Sequence, residues 1–403
     1  MKEQRQQAVK IRIYPTKEQQ VLINKHFGCA RFVFNYFLNQ KKDGYLQFGK
    51  SPTKNICSAQ LPSMKKNPDF EWLKEVNSQS LQAELEHLEV AYNNFFKNKA
   101  GFPKFKSKHS DTNSFKVPQS ASIDIETETI KIPKFEPIKF KHRLKQTEIS
   151  PNSVVISRNR IGQYYASIQF EGEIEIKEST GECVGIDLGL THFLIDSNGT
   201  KIDNPRLLKK QLGKIKYLQR MHSKKKKGSK SKDKQQIKLS KQHNDVTNKR
   251  KDFQNKLSTK IISENQVICL EDLNVKGMTK NHKLAQAITD VAWSSFVSML
   301  KYKGIWHNRD VIFVNRWFPS SKTCSSCGWI CDEMRLDIRE WICPTCGCVH
   351  DRDINAAKNI LRQGLNELSG CGAQSDIKQK LEEASCSKIE SMSSEAHVSL
   401  AHG

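Results

Sequence analysis

The sequence predicts a multidomain α+β protein: a small β-barrel interrupted by a helical insertion, then an α/β module with a metal knuckle set into it. Three observations carry this. Short alternating apolar and polar runs occur at 9–15 (VKIRIYP) and again from Ser114 to about Glu175, with helical periodicity between them. Farther along, apolar strands alternate with long helical stretches. Near the end stands a C-x2-C-x15-C-x2-C spacing, Cys324, Cys327, Cys343 and Cys346.

The 403 residues leave room for two or three domains. A net charge of +23 points to a polyanionic partner. No apolar run approaches the roughly 20 residues of a membrane span, which favours nucleic acid over a membrane. The polar start, Met1 to Lys10, lacks a signal-peptide pattern. Cys29, Cys57, Cys183 and Cys269 stand apart in apolar surroundings, whereas six cysteines crowd into Cys324–Cys348. That distribution implies a reduced intracellular protein, cytosolic or nucleoid-associated, with one metal site.

In chain order, VKIRIYP reads as a strand ended by Pro15, and Thr16 is placed to cap a helix over Glu18 to Asn39. A second helix, about Gln79 to Lys97, carries Leu81, Leu85, Leu88, Tyr92, Phe95 and Phe96 at helical spacing, a pattern expected of core. The run KNKAGFPKFKSK after it has Lys97, Lys99, Lys104, Lys106 and Lys108 with no acid, interleaved with Phe102 and Phe105. That mixture suits a surface that tracks a phosphate backbone and stacks bases, the plainer alternative being a solvated loop. The β-type runs SFKVP, IKIPKF, IKFKH, VVISRN and QYYASIQFEG complete the first module.

The second module begins with CVGIDLGLTHFLIDSNGTKI, read as two strands joined through Gly189, with a turn at Ser197-Asn198-Gly199. Residues 206–263 read as helix on both sides of SKKKKGSKSKDK, which includes Lys224, Lys225, Lys226 and Lys227. Between Lys201 and Lys260, 21 Lys/Arg stand against 4 Asp, an imbalance that implies nucleic-acid contact. QVICLEDL (266–273) and DVIFVNRW (310–317) are buried strands around a helix from Trp293 to Lys303, and Asp353 to Leu365 is a final helix. From Gly370 the serine-rich tail is expected to be mostly disordered, with one short helix near Ile377–Ala384.

Three acids sit at ends of these elements: Asp187 in the apolar strand VGIDLGL, Glu271 closing VICLE, and Asp353 opening the last helix. Taken singly each has a plainer explanation, as a turn residue, a surface strand end and a helix N-terminal charge. Together they follow the order of an RNase H-like fold, whose carboxylates converge on one sheet edge. The chemistry expected there is two-metal phosphodiester hydrolysis with two Mg²⁺ ions, Asp187 bridging them and Glu271 and Asp353 completing their shells. Asp272 and Asp351 are the neighbouring rivals. Asp272 is expected on the opposite face of its strand, and Asp351 as a helix cap. The four knuckle cysteines imply one structural zinc with no open position, leaving Cys331 and Cys348 spare, with Cys348, two residues after Cys346, the alternative ligand.

At these residues the chain resembles the TnpB family of insertion-sequence-encoded nucleases, similar to the ancestors of type V CRISPR effectors. The carriers are IRIYPTKEQ, FGCARFVFN, FFKNKAGFPKFKSK, GIDLGLTHF, CLEDLNV, NRWFPSSKTCSSCG and CPTCGCVHDRDINAAKNIL, which together span roughly 8–366. The resemblance implies an RNA-guided DNA endonuclease that binds a guide RNA from the transposon end and recognises a short transposon-adjacent motif. It would then open double-stranded DNA and cut it at one RuvC-type site formed by Asp187, Glu271 and Asp353. It further implies an oligonucleotide-binding-like barrel (the wedge) at 1–16 and 114–175 and a helical recognition lobe at 17–113. The RuvC domain would occupy 180–318 and 351–368 with the zinc ribbon at 319–350 inserted, and 369–403 would be the tail. By the same resemblance Gln79 and Gln82, with Thr112, Asn113 and Ser114 across from them, are candidate readers of the adjacent motif; amides pair bidentately with adenine. The expected partners are guide RNA and target DNA, bound by a monomer in a prokaryotic cytoplasm. The alternatives are a guide-dependent repressor that does not cut and a transposase-type strand transferase.

Overall fold

The computed structural model of the chain describes residues 2–108, 110, 112–141, 149–335 and 337–370. It divides into two compact units, Glu3–Glu173 and the part from Ile174 onward. Each is mixed α/β.

In the first unit, β1 (Lys2–Tyr14) alternates in burial along its whole length. It starts seven residues before the VKIRIYP run, because QRQQA pairs through its backbone without an apolar face to announce it. Thr16 caps α1 (Lys17–Phe48) in a reciprocal box with Gln19. The helix outruns its expected end at Asn39 and stops only at Gly49, in the left-handed region. α2 (Lys54–Lys66) and a 3-10 helix (Pro68–Glu75) follow, then α3 (Ser78–Phe96), capped by Asn77. Val33, Phe37, Leu38, Leu61, Leu73, Leu81, Leu85 and Leu88 form the core of these helices. Each such side chain contributes about 1.5–3 kcal/mol when fully buried.

The strands are β2 (Thr112–Val117), β3 (Ser122–Asp124), β4 (Thr129–Lys131), β5 (Ile138–Phe140), β6 (Pro151–Asn159) and β7 (Tyr164–Glu175). They join β1 in one seven-stranded sheet of order β2-β6-β7-β1-β5-β4-β3. Phe115 and Val117 at one end share a core with Ile130 near the other, so the sheet is curled, and Ile23, Phe27 and Ala30 of α1 pack into that core. His26 ties the pieces together. Its Nδ1 donates to the Leu22 carbonyl at 2.9 Å, and its Nε2 accepts the Asn77 N–H at 3.1 Å. Burial pushes its pKa down to about 4, which keeps Nε2 available as an acceptor.

The second unit opens with β8 (Cys183–Asp187), β9 (His192–Asp196) and β10 (Lys201–Asp203). α4 (Leu207–Ser223) and α5 (Lys230–Glu264) pack on each other through Ile215, Leu239 and Val246. β11 (Val267–Glu271), α6 (Val275–Met278), α7 (Ala285–Val291), α8 (Trp293–His307) and β12 (Asp310–Val314) come next. A two-stranded hairpin, β13 (Glu340–Ile342) with β14 (Val349–Asp351), leads into α9 (Arg352–Gly370). The expected tail from 369 lies, beyond Gly370, outside the described residues, as does the short helix near Ile377–Ala384.

The main sheet has the order β10-β9-β8-β11-β12, with β8, β11 and β12 parallel and the other two pairings antiparallel. Its two faces separate by residue parity. Val184, Ile186, Ile268 and Leu270 face α5 and α8, while Cys183, Val267 and Cys269 face α9. The helix sits tight against the strand because Gly185 has no side chain: a Cβ there would lie 2.1 Å from the Ala357 carbonyl oxygen.

Candidate active site and metal centre

That close approach places the acids. Leu270 is paired with Ile186 in parallel register, so Asp187 and Glu271 follow at the same level on adjacent strands, on the α9 face with Gly185 and Cys269. Asp353 lies one helical turn before Ala357, the residue that rests on Gly185, and so meets the same sheet edge. The electrostatics agree. Burial, then the charges of Asp353 and Glu271, push the Asp187 carboxyl up to about 7. Glu271 is raised as well, by burial and by Asp272. These are hard oxygen donors of the kind that hold divalent cations such as Mg²⁺, although their oxygens do not stand as a close ligand cluster in this structure.

The neighbouring acids have other partners. Asp272 pairs with Arg316, and Asp351 accepts the Asp353 and Ile354 N–H groups at 3.0 Å each as the cap of α9, with Lys201 at 2.5 Å. Arg339 reaches Asp353 at 3.3 Å.

The cysteine cluster is the only group of three or more metal-ligand side chains found close enough among the described residues. The sulfurs of Cys324, Cys327, Cys343 and Cys346 all lie within 4.8 Å of one another, with 3.6 Å between Cys324 and Cys346 and between Cys327 and Cys343. Tetrahedral zinc with bonds of about 2.3 Å requires sulfurs about 3.8 Å apart, so the residues fit that ion. The two cysteine turns are built alike. Gly328 and Gly347 take positive φ (81° and 71°), and each donates its N–H to the carbonyl of the first cysteine of its pair at 2.9 Å. His350 Nε2 lies 3.0 Å from Cys324 Sγ.

What the sequence reading missed is the link between the two clusters. Asn355 and Asn359, 1% and 0% exposed, are buried amides on α9. Asn355 accepts the Ser325 N–H at 2.8 Å and donates to the Thr323 carbonyl at 2.7 Å; Asn359 donates to the Ser320 and Thr323 carbonyls at 2.8 and 2.6 Å. The first cysteine turn is thereby fastened to the helix that carries Asp353. The signal was present: polar amides at i and i+4 in DINAAKN occupy a helix face that otherwise packs on the sheet.

The basic candidates divide. Lys97, Lys99, Lys104 and Lys108 are exposed, as are Lys224, Lys226 and Lys227, with Lys225 half-buried. Lys106 has a structural role: it pairs with the buried Glu84, lies over the Phe34 ring and exchanges backbone bonds with Asn35. Phe102 packs edge-on against Tyr92 and Phe95, and Phe105 lies under Lys42; both rings stay about half-exposed. Lys104, Phe105, Asn113 and Ser114 line one cavity of about 350 Å³ with Arg31. Asn113 and Ser114 sit in β2, as does Thr112 by backbone. Gln82 is exposed on α3 and Gln79 half-buried. No described helix is long and apolar enough to cross a membrane.

Comparison with known proteins gives three family-model matches. Residues 293–360 match "Cas12f1-like, TNB domain", 167–282 match "Probable transposase", and 1–50 match "Helix-turn-helix domain". In the structure those first fifty residues hold one strand and one helix. A Streptomyces pristinaespiralis protein named "Putative RNA-guided DNA endonuclease" is 38% identical over 373 residues, covering 92% of each chain. InsQ of Escherichia coli K12, of the same description, is 30% identical over 91% of this chain and 94% of its own. A Cas12f1 chain solved with single-guide RNA and target DNA shares the fold at a TM-score of 0.53 and 12% identity, covering 89% of this chain and 98% of that one.

Proposed function

The chain belongs to the TnpB family, and from that premise we propose that it is an RNA-guided DNA endonuclease of a transposon. It takes a guide RNA from the transposon end, recognises a transposon-adjacent motif in double-stranded DNA, opens the duplex along the guide and cuts it. The observation that supports this most is the meeting of Asp187, Glu271 and Asp353 at one sheet edge, with Asp187 raised to about 7 by burial and by the other two. We read the unit from Ile174 as RNase H-like, of RuvC type, its sheet order and its closing acid-bearing helix supporting that reading. The curled sheet with its inserted helices reads as the oligonucleotide-binding-like wedge and recognition lobe, and the cysteine hairpin as a zinc ribbon inserted before α9.

Asp187, Glu271 and Asp353 would hold two Mg²⁺ ions, which when bound supply Lewis-acid activation of water and stabilisation of the leaving oxygen. The chain's own part is positional. β8 and β11 hold two carboxylates level, and Gly185 lets α9 bring the third to them. Cys324, Cys327, Cys343 and Cys346 hold a structural zinc with no open position. Lys97, Lys99, Lys104, Lys108, Phe105 and the Lys224–Lys227 run follow the nucleic-acid backbone, with Gln79, Gln82, Thr112, Asn113 and Ser114 as readers of the adjacent motif.

The test is to incubate the RNA-loaded protein with Mg²⁺ and a plasmid matching the copurified guide. Linearised plasmid is the expected product. Intact plasmid with binding retained would instead make the protein a guided repressor, and joined transposon ends would make it a strand transferase.

A further inference from the structure

Trp317 has no part in either cluster. At 83% exposure it is the most open large hydrophobic side chain described, a little ahead of Leu46 at 78% and Phe48 at 77%, whereas Trp293 is 2% exposed. An indole left in water forgoes the burial of a 150–250 Å² apolar body.

The backbone that carries the ring is nevertheless held in an ordered turn. The Trp317 N–H donates to Asn315 Oδ1 at 3.0 Å, and the Phe318 N–H to the Asn315 carbonyl at 2.9 Å. Arg316 is pinned to Asp272, the residue after Glu271, and the Asp272 N–H bonds the Val314 carbonyl at 3.0 Å. Val314 is itself in register with Glu271. Trp317 therefore stands just past the sheet edge that carries Asp187 and Glu271. Arg316 and, on Asp353, Arg339 bring positive charge to the same edge.

We propose that Trp317 is a stacking platform for an unpaired base of single-stranded DNA led to the carboxylate edge. The inference rests on the endonuclease reading. A base within a duplex has both faces covered by its neighbours, so an isolated indole beside the cutting edge selects strand that has already been opened. The ring takes the face of a base whatever its identity, a contact suited to single strands of any sequence. Trp317 thus adds a preference for opened DNA that the carboxylates alone do not provide.

The test uses the full, RNA-loaded protein with Ca²⁺ in place of Mg²⁺ and 0.5 M salt to screen the backbone contacts. Two probes are compared: a twelve-nucleotide oligothymidine, and the same sugar–phosphate chain with every base removed. The wild type should bind the base-bearing probe tighter by roughly 5- to 150-fold. Trp317→Ala should remove most of that difference, and Trp317→Phe should keep most of it. With the ring in solvent, neither substitution should lower the melting temperature. Unchanged discrimination in Trp317→Ala would overturn the proposal; that result is also expected if the ring docks on protein. In a parallel arm, wild-type protein is given guide-matched duplex and Mg²⁺. Absence of cleavage there would remove the endonuclease reading, while the probe comparison decides the stacking by itself.

Discussion

The cysteine cluster and the carboxylate cluster lie seven residues apart in sequence, Cys346 to Asp353, yet they are built on opposite plans. The cysteines are brought together by two near-identical turns, each closed by a glycine with positive φ, so local chain geometry does almost all the assembly. The carboxylates come from β8, β11 and α9, separated by 84 and 82 residues, and meet only after a sheet has formed and a helix has docked on it. One site is soft, closed and self-assembled; the other is hard, self-repelling and dependent on packing elsewhere. On the reading proposed above, the chemistry belongs to the site that the fold must hold in place, and the structural role to the one built from local turns.

If the clusters are as separate in chemistry as in construction, damage to one should leave the metal of the other in place. Asp187→Asn should cost the most. It removes the most buried acid of the set and should slow cleavage of guide-matched DNA on the order of 10³-fold or more, with RNA binding and zinc content unchanged. A cut rate near wild type would separate the carboxylates from the chemistry altogether.

Gly185→Ala comes next, because it attacks only the docking. The new methyl meets the Ala357 carbonyl and the backbone of Leu361, so α9 must move. The expected cost is about 1–3 kcal/mol of stability. A displacement of Asp353 by about 1 Å would add on the order of 10²-fold in rate. Thermal unfolding and single-turnover cleavage measure the two effects.

Asn355→Ala tests the brace between the clusters. It leaves the Ser325 N–H unpaired and takes a donor from the Thr323 carbonyl, at a cost of about 1–3 kcal/mol. Its signature should be about a tenfold rise in the Mg²⁺ needed for half-maximal cleavage, with one zinc still bound. An unchanged Mg²⁺ requirement would confine Asn355 to stability.

The last expected effect is on the pH dependence of stability rather than on cleavage. The Asp187 carboxyl stands at about 7 in the metal-free fold, above its ordinary 3.8, so the folded state binds the extra proton. The resulting stability is fully present below about pH 4 and is lost as pH rises through 7. Melting temperatures of metal-free protein should therefore fall from pH 5 to 7.5. Asp187→Asn should flatten that fall, and a profile identical to wild type would contradict the shift.

The same contrast decides what could be read from the sequence. The knuckle was legible because its spacing is its structure. Asp187 and Glu271 were legible because an acid at the end of an apolar strand violates the pattern around it. Asn355 and Asn359 escaped because their partners, Ser320, Thr323 and Ser325, are backbone groups that carry no side-chain signature. The full reach of β1 and α1 escaped for a related reason: residues 2–7 and 40–48 are held by pairing and by the Gly49 stop, not by apolar periodicity. α2 was hidden by Pro62 inside the helix, and α7 by its brevity, although its Asp290 caps α4 through the Leu208 and Lys209 N–H groups.

The most direct test counts metals. Purified wild type and Glu271→Gln would be titrated with Mn²⁺ as a spectroscopic stand-in for Mg²⁺, with zinc quantified in the same samples. One retained zinc is expected in both proteins, with Mn²⁺ binding in the wild type that is lost or sharply weakened in Glu271→Gln. Equal Mn²⁺ uptake by the two proteins, or loss of zinc together with Mn²⁺, would contradict two separate sites with separate roles.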